Sequence, residues 1–468
     1  MQTNPVIAYA RWLAQTPDAW PDDARDSAHR QFIDVIAVTV PGAAEPAARR
    51  AFAVVKDWGA GPCTAIGMGA RLSAPWAALV NGTAAHALDF DDNFDPAKAH
   101  ATAVLAPAIL ALAEQEGASG AACIDAYIAG LQILGRVGQG VNPVHRNRGW
   151  HATATVGAVG AAAACARLLK LDAEQAANAL SLSVSMAAGF MSQFGTMAKP
   201  LHAGLAAKAG IVASGLARGG ITAGREVMDG PTGMNRLMVG PDYEALRDGL
   251  THVEHGQNLR FETGGIGDPL LIASSGFRVK RFPNCGSAHR AMDGLLALKD
   301  ETGFGPDDVD AIHIRAPITH LNNLMYEDPQ NGLQAKFSVE YGVALVLVTG
   351  FARLSDFTDE AAMRPEIRAL YPRIHRHPVD KAEGEFPTEV EVVLKDGRSV
   401  QTAVPMPMGS IAAPFPTSQY WAKLDGCIGG LMADADARAL RTALEEFPRL
   451  PAIGPLMAPL LSSVTPAQ

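Results

Sequence analysis

A chain of 468 residues is too long for one compact core, so two domains are expected. Apolar residues make up 48% and charged residues 19%, and a net charge of −9 without a basic stripe argues against a nucleic-acid surface. The five cysteines are scattered and form no C-x-x-C pair, which argues against a structural zinc site or a disulfide framework and points to a reducing compartment.

Residues 1–9 lack the basic and apolar regions of a secretory signal. The run from Ala152 to Ala166 is small and apolar but shorter than the ~20 residues a bilayer span needs. A cytoplasmic protein without membrane contact is expected. Helical periodicity runs through residues 5–40, with Asp34 inside an apolar stretch as a capped or paired structural acid. Further helices are predicted over about 47–59, 76–88, 103–114, 121–137 and 152–169, then from Asp172, a suitable N-cap, and over 203–216. No strand stands out before about residue 265.

Beyond Gly264 the pattern changes. Phe277–Phe282 and Val309–Arg315 alternate at period two, and Ser287–Lys299 returns to helical period. Glu389–Leu394 meets Ser399–Val404 across residues 395–398, a hairpin signal. The segment 417–447 is helical again. The expected fold is mainly α: a large all-helical domain over residues 1–268 and 410–468, and a smaller α+β domain over 269–409. The C-terminal helices would return to the helical domain.

Three groups of residues are candidates for chemistry. Asp89, Asp91, Asp92 and Asp95 crowd a polar loop between two apolar helices, closed by His100. Asp91, Asp92 and Asp95 spell D-D-x-x-D, the spacing by which helical carboxylates hold Mg²⁺ beside a diphosphate, but no second metal motif accompanies them. The second group is basic: His100, His151, Lys199, His202, Lys208, Lys280, Arg281, His289 and Arg290, several of them at the starts of apolar helices. Helix N-termini favour anions, Lys supplies a point charge and Arg a bidentate fork, so this set suits a small polycarboxylate. The third is Cys285 with Ser287, read as a packed thiol and as an N-cap or substrate hydrogen-bond donor.

Five blocks carry a resemblance: residues 86–92 (His86 to Asp92), 149–153 (Gly149 to Thr153), 199–208 (Lys199 to Lys208), 280–287 (Lys280 to Ser287) and 335–341 (Ala335 to Tyr341). In this order they resemble the MmgE/PrpD family of 2-methylcitrate dehydratases, cis-aconitate decarboxylases and iminodisuccinate epimerases. The resemblance implies a homodimer, no cofactor or metal, and a site corresponding to Asp89, Asn93, His100, His151, Lys199, Lys280 and Tyr341. Asn93 replaces the Thr of decarboxylase-like members. His100-Ala-Thr102 replaces the usual His-Pro-Ser, and His151-Ala-Thr153 the usual His-Pro-Thr.

On this resemblance the chain is expected to be a cofactor-independent lyase or isomerase moving a proton next to a carboxylate. Its substrate would be a small di- or tricarboxylate. A dehydratase of the 2-methylcitrate type is put first, with decarboxylation or epimerisation as alternatives. Remoter readings are a Mg²⁺ enzyme using D-D-x-x-D and a non-catalytic carboxylate-binding protein. His151 and Asp89 would transfer protons, with His100 orienting substrate or serving as a second proton-transfer group. Lys199 and Lys280 would hold carboxylates and developing charge, and Lys280 or Tyr341 would donate to the departing group. Asn93, His202, Lys208, Arg281, Ser287 and His289 would bind substrate.

Overall fold

The computed structural model describes residues 3–251, 253–274, 277–381 and 384–464. The chain is mainly helical, and its contacts divide it into two units.

The first unit comprises Met1–Ala87, Asp91–Phe277 and Pro416–Gln468. Its helices include α1 (Pro5–Gln15), α2 (Asp22–Gly42), α3 (Pro46–Val55), α4 (Ala74–Ala87), α5 (Thr102–Glu116), α6 (Gly120–Val141), α7 (Val144–Asn147), α8 (Ala152–Leu168), α9 (Ala173–Val184) and α10 (Ala198–Arg218). Helix α4 lies at the centre, since 12 of its 14 residues are buried on all sides. Its composition of Ala, Gly and Thr lets neighbours approach to backbone contact. A Cβ placed on Gly204 of α10 would lie 2.1 Å from the Leu79 carbonyl oxygen, and one on Gly82 would lie 2.9 Å from the Gly204 Cα. Only glycine allows this crossing. Helices α6 and α8 meet in the same way, with a Cβ on Gly130 falling 2.5 Å from that of Ala164.

Local signals fix the ends. Asn4 and Ser119 cap α1 and α6, and Asp172 forms a capping box with Gln175 at the start of α9. Helix α5 stops at Gly117 in the left-handed region. The helices Thr417–Ile428 and Asp434–Glu446 complete the unit, and Lys423 reaches the buried Asp34 of α2 at 2.7 Å. Asp34 is thus the paired structural acid its surroundings predict. The expectation of no strand before residue 265 is corrected by a hairpin of Cys63–Ala65 with Ala70–Leu72 and by the short strand Asn93–Phe94. Strands of two or three residues are too short to show a period-two pattern.

The second unit comprises Leu88–Phe90 and Arg278–Phe415. Its four-stranded sheet has the order Ile374–Val379, Val309–Pro317, Thr388–Leu394, Ser399–Val404, with the first pair parallel and the others antiparallel. Ile312, Ile314, Val390 and Val392 face a core that includes Met292 and Leu295 of helix His289–Thr302 and Val343 and Leu347 of helix Val339–Thr349. The opposite face carries His313, Arg315, Glu389 and Glu391. Strand structure expected through Phe282 ends at Arg278, because the chain then turns through Pro283 and Gly286 into helix His289–Thr302. The segment Leu88–Phe90 is fastened from within this unit. Lys336 Nζ donates to the Leu88 carbonyl at 2.5 Å and Lys280 Nζ to the Asp89 carbonyl at 2.7 Å.

Candidate active site

In the first unit the site begins at the last turn of α4. His86 is fully buried there, and the chain folds back so that its Nδ1 lies 2.9 and 3.1 Å from the two carboxylate oxygens of Asp91. The same carboxylate lies 3.3 Å from Nδ1 of His100. That Nδ1 is also 2.7 Å from the Asp92 carbonyl oxygen, and the His100 backbone N–H donates to Thr153 Oγ1 at 3.1 Å. A nitrogen facing a carboxylate and a carbonyl carries the hydrogen, so each neutral imidazole keeps its lone pair on Nε2. The His86 Nε2 is buried without a hydrogen-bond partner. The His100 side chain is 14% exposed, and its ring packs against that of His86 with centroids 4.4 Å apart.

The charges follow from burial. Burial raises the Asp91 carboxyl, but the His86 and His100 imidazoles outweigh it and hold the group well below its usual range. Burial, with Lys199 and His100 adding to it against Asp91, lowers His86 to about 3. Burial and the Asp91 charge push Asp92 up to about 8. One Asp92 oxygen accepts the Thr102 N–H at 3.1 Å and the other has no partner. Two adjacent acids therefore divide into one ionised and one protonated near neutrality.

Helices α8 and α10 bring the remaining groups. His151, the N-cap residue of α8, sets its Nδ1 3.0 Å from Nδ1 of His202. Burial and the Lys199 charge depress both imidazoles, His151 the more strongly. One donates to the other and both stay neutral. Lys199, in the first turn of α10, lies 5.4 Å above the Phe194 ring, which packs edge-on against His151 at 4.9 Å. Asn93, half-buried, follows Asp92. Such an arrangement, a cation beside neutral imidazoles with one further imidazole backed by a carboxylate, can hold an anion and pass a proton to or from carbon.

In the second unit, Asp89 is held in the left-handed region (φ 52°) with its carboxylate 3.2 Å from the buried Lys280 ammonium. Such backbone, uncommon outside glycine, gathers at functional positions.

Residues 8–246 match the MmgE/PrpD N-terminal domain and residues 282–447 the MmgE/PrpD C-terminal domain. The chain belongs to the MmgE/PrpD family. Relatives in it include a cis-aconitate decarboxylase of Aspergillus terreus, 26% identical over 97% of this chain and 95% of that protein. The mouse cis-aconitate decarboxylase is 27% identical over 70% of this chain, and the match spans 66% of the mouse protein. The human one is 28% identical over 70% of this chain and 67% of its own length.

Against this family background the predicted residues separate. His100, His151, Lys199 and His202 gather in the first unit, and Asp89 and Lys280 pair in the second. Lys208, Arg281 and Ser287 have partners of their own, and His289 lies close enough to Lys280 and Asp89 to feel both charges. Lys208 lies over the Trp76 ring at 5.1 Å, about 13 Å further along α10 than Lys199 at the usual helical rise. Arg281 pairs with Asp293 at 2.8 Å, Ser287 accepts from Asn323 at 2.9 Å, and His289 is buried against Phe282 with its pKa lowered to about 3, chiefly by burial. Tyr341 is buried in the second unit, where its hydroxyl donates to the Asp356 carbonyl and burial pushes it up to about 12. The D-D-x-x-D reading loses its geometry, since Asn93–Phe94 is a strand and Asp95–Ala97 a 3₁₀ turn rather than one helical face.

Sequence reasoning missed His86, Asp91 and Asp92 as individual groups. The available signal was a histidine ending an apolar helix five residues before an acid, which allows the chain to close back on it.

Proposed function

We propose that the chain is a lyase that moves a proton at carbon beside a carboxylate, with decarboxylation of a cis-aconitate-type tricarboxylate as its reaction. The observation that carries this reading is the Asp91 carboxylate beside His100, across from the neutral His151–His202 pair and the Lys199 ammonium. Decarboxylation breaks a carbon–carbon bond and leaves the electron pair on carbon, conjugated with a retained carboxylate. Lys199 is proposed to hold that carboxylate and its growing charge. His100, whose imidazolium would be stabilised by ionised Asp91, delivers a proton to carbon from Nε2. His151 and His202 supply neutral hydrogen bonds that orient the substrate. Lys280 and Asp89 are proposed as further catalytic groups through the family correspondence.

The cis-aconitate decarboxylases among the relatives support decarboxylation over the 2-methylcitrate dehydration expected first. Dehydration is the second reading, favoured by the same proton-transfer groups. Proton NMR in D₂O with chelator present tests both. Loss of CO₂ from cis-aconitate supports the proposal, and new vinylic signals from 2-methylcitrate would replace it with dehydration. Turnover only after Mg²⁺ is restored would overturn the metal-free form of the mechanism. A lack of turnover on every tricarboxylate, with thermal stabilisation by them, would favour a binding protein.

A further inference from the structure

Phe194 touches two of the groups used by the proposed reaction, yet it can carry neither a proton nor a charge. Residues 189–194 run as a strap across the start of α8. The His151 N–H donates to the Gly189 carbonyl at 3.0 Å, and the Met191 N–H donates to the Gly149 carbonyl at 2.8 Å. Between these two bonds Trp150 and Phe190 face each other with ring centroids 4.9 Å apart. The 3₁₀ turn Met191–Gln193 closes as the Phe194 N–H donates to the Met191 carbonyl at 3.0 Å. The strap thereby sets Phe194 beside His151. Gly195 follows at φ 82°, a left-handed turn that leads the chain into α10 and brings Lys199 over the ring.

We infer that Phe194 is a positioning residue for the substrate cation: its ring face seats the Lys199 ammonium, and its flank sets the plane of the His151 imidazole. The inference rests on the reading of Lys199 as the group that holds the substrate carboxylate. The ring centroid lies 5.4 Å from Lys199 Nζ, within the ~6 Å over which an aromatic face attracts an ammonium. It lies 4.9 Å from the His151 centroid with the rings at 81°, the edge-to-face geometry that aromatic pairs prefer. Lys199 is buried, so little water competes with the ring. A lysine carries its charge on a flexible stem without a planar fork, so its surroundings have to aim it. An aliphatic side chain of similar size would fill the space but would lack the negative face. A carboxylate in the same place would pair with Lys199 and shut out that of the substrate. The π face holds the ammonium and still yields it to a full negative charge.

Calorimetric titration of the full chain with tricarballylate tests this, because its saturated carbons cannot delocalise the charge that loss of CO₂ would leave. The parent is compared with Phe194→Leu, Phe194→Tyr and Lys199→Ala, each first shown by thermal unfolding to be folded. Phe194→Leu should bind about 5- to 30-fold more weakly, the worth of a desolvated cation–π contact, and Phe194→Tyr, which keeps the ring, within a few-fold of the parent. Parent-like affinity in Phe194→Leu, or an equal loss in the Leu and Tyr variants, would overturn the inference and leave Lys199 as the substrate cation. Undiminished binding by Lys199→Ala would overturn the functional reading and this inference with it. A second measurement needs no substrate. Acetylation of Lys199 by acetic anhydride, followed by mass spectrometry with Lys208 as the internal reference, should quicken several-fold in Phe194→Leu but not in Phe194→Tyr. An unchanged rate in Phe194→Leu overturns the inference even where tricarballylate does not bind.

Discussion

His86 Nδ1 donates to the Asp91 carboxylate at 2.9 Å, and the same carboxylate faces His100 Nδ1 at 3.3 Å. One acid thereby fixes the tautomers of two imidazoles. Asp91→Asn would present an amide hydrogen to one of two nitrogens that already carry hydrogens. We expect kcat/KM on the true substrate to fall by about 10²–10⁴-fold, the range expected when a proton-transfer group is lost. An effect within a few-fold, measured by CO₂ release, would remove His100 from proton transfer.

Lys199 and Lys208 lie on one helix but meet different partners, Phe194 and Trp76. Lys199→Ala should lower kcat/KM by at least about 10²-fold, in line with losing a preorganised charge. Lys208→Ala should leave it within a few-fold. Steady-state kinetics on the pair separates a substrate cation from a surface one.

Asp92 gives a stability prediction with a definite sign. Its folded pKa is raised to about 8, whereas an unfolded aspartate titrates near 4. The folded state therefore holds a proton that the unfolded state has lost, and this group's contribution falls as pH rises from about 4 to about 8. Asp92→Asn has no such dependence. Its stability relative to the parent should rise over that interval and then level off, as urea unfolding at several pH values would register.

The histidines pull the other way. His86, His145 and His289 are each lowered to about 3, chiefly by burial, so the unfolded chain takes up protons first as pH falls from about 6.5. Each contributes stability that is complete above that pH and lost progressively toward about 3, at up to about 1.4 kcal/mol per pH unit. Unfolding midpoints should drop steeply between pH 6 and pH 4. A flat profile there would mean that these imidazoles are protonated in the fold.

Much of the helical layout is legible in the sequence because its signals are local. The Asp172 cap, the apolar runs of α4 and α5, and the hairpin around Gly397 each sit within a few residues of the structure they cause. The site is less legible. His151 and His202 are 51 residues apart in the chain and meet only through the packing of their helices. Tyr341 lay in a recognisable block, yet its hydroxyl is taken by a carbonyl 15 residues away, which no local pattern announces. Lys208 shared a helix with Lys199, and only the position of Trp76 tells the two cations apart.

Gly204→Ala would set a methyl group 2.1 Å from the Leu79 carbonyl oxygen and 2.5 Å from Thr83 Oγ1. We expect a loss of about 1–3 kcal/mol or more from overpacking, together with lower activity, since the helices can relieve the clash only by separating. Differential scanning calorimetry checks the first effect and kinetics the second.

The Gly82–Gly204 crossing has a consequence for how this scaffold can change. Where backbone rests on backbone, the gap between α4 and α10 is set by peptide atoms, and no repacking of side chains can widen or narrow it. The helix turns that bear His86, Lys199 and His202 are therefore a fixed gauge. On the proposed function, changes of substrate would be written in the loop between them, at positions such as Asn93 and the residues leading to His100, where insertion or exchange leaves the gauge untouched.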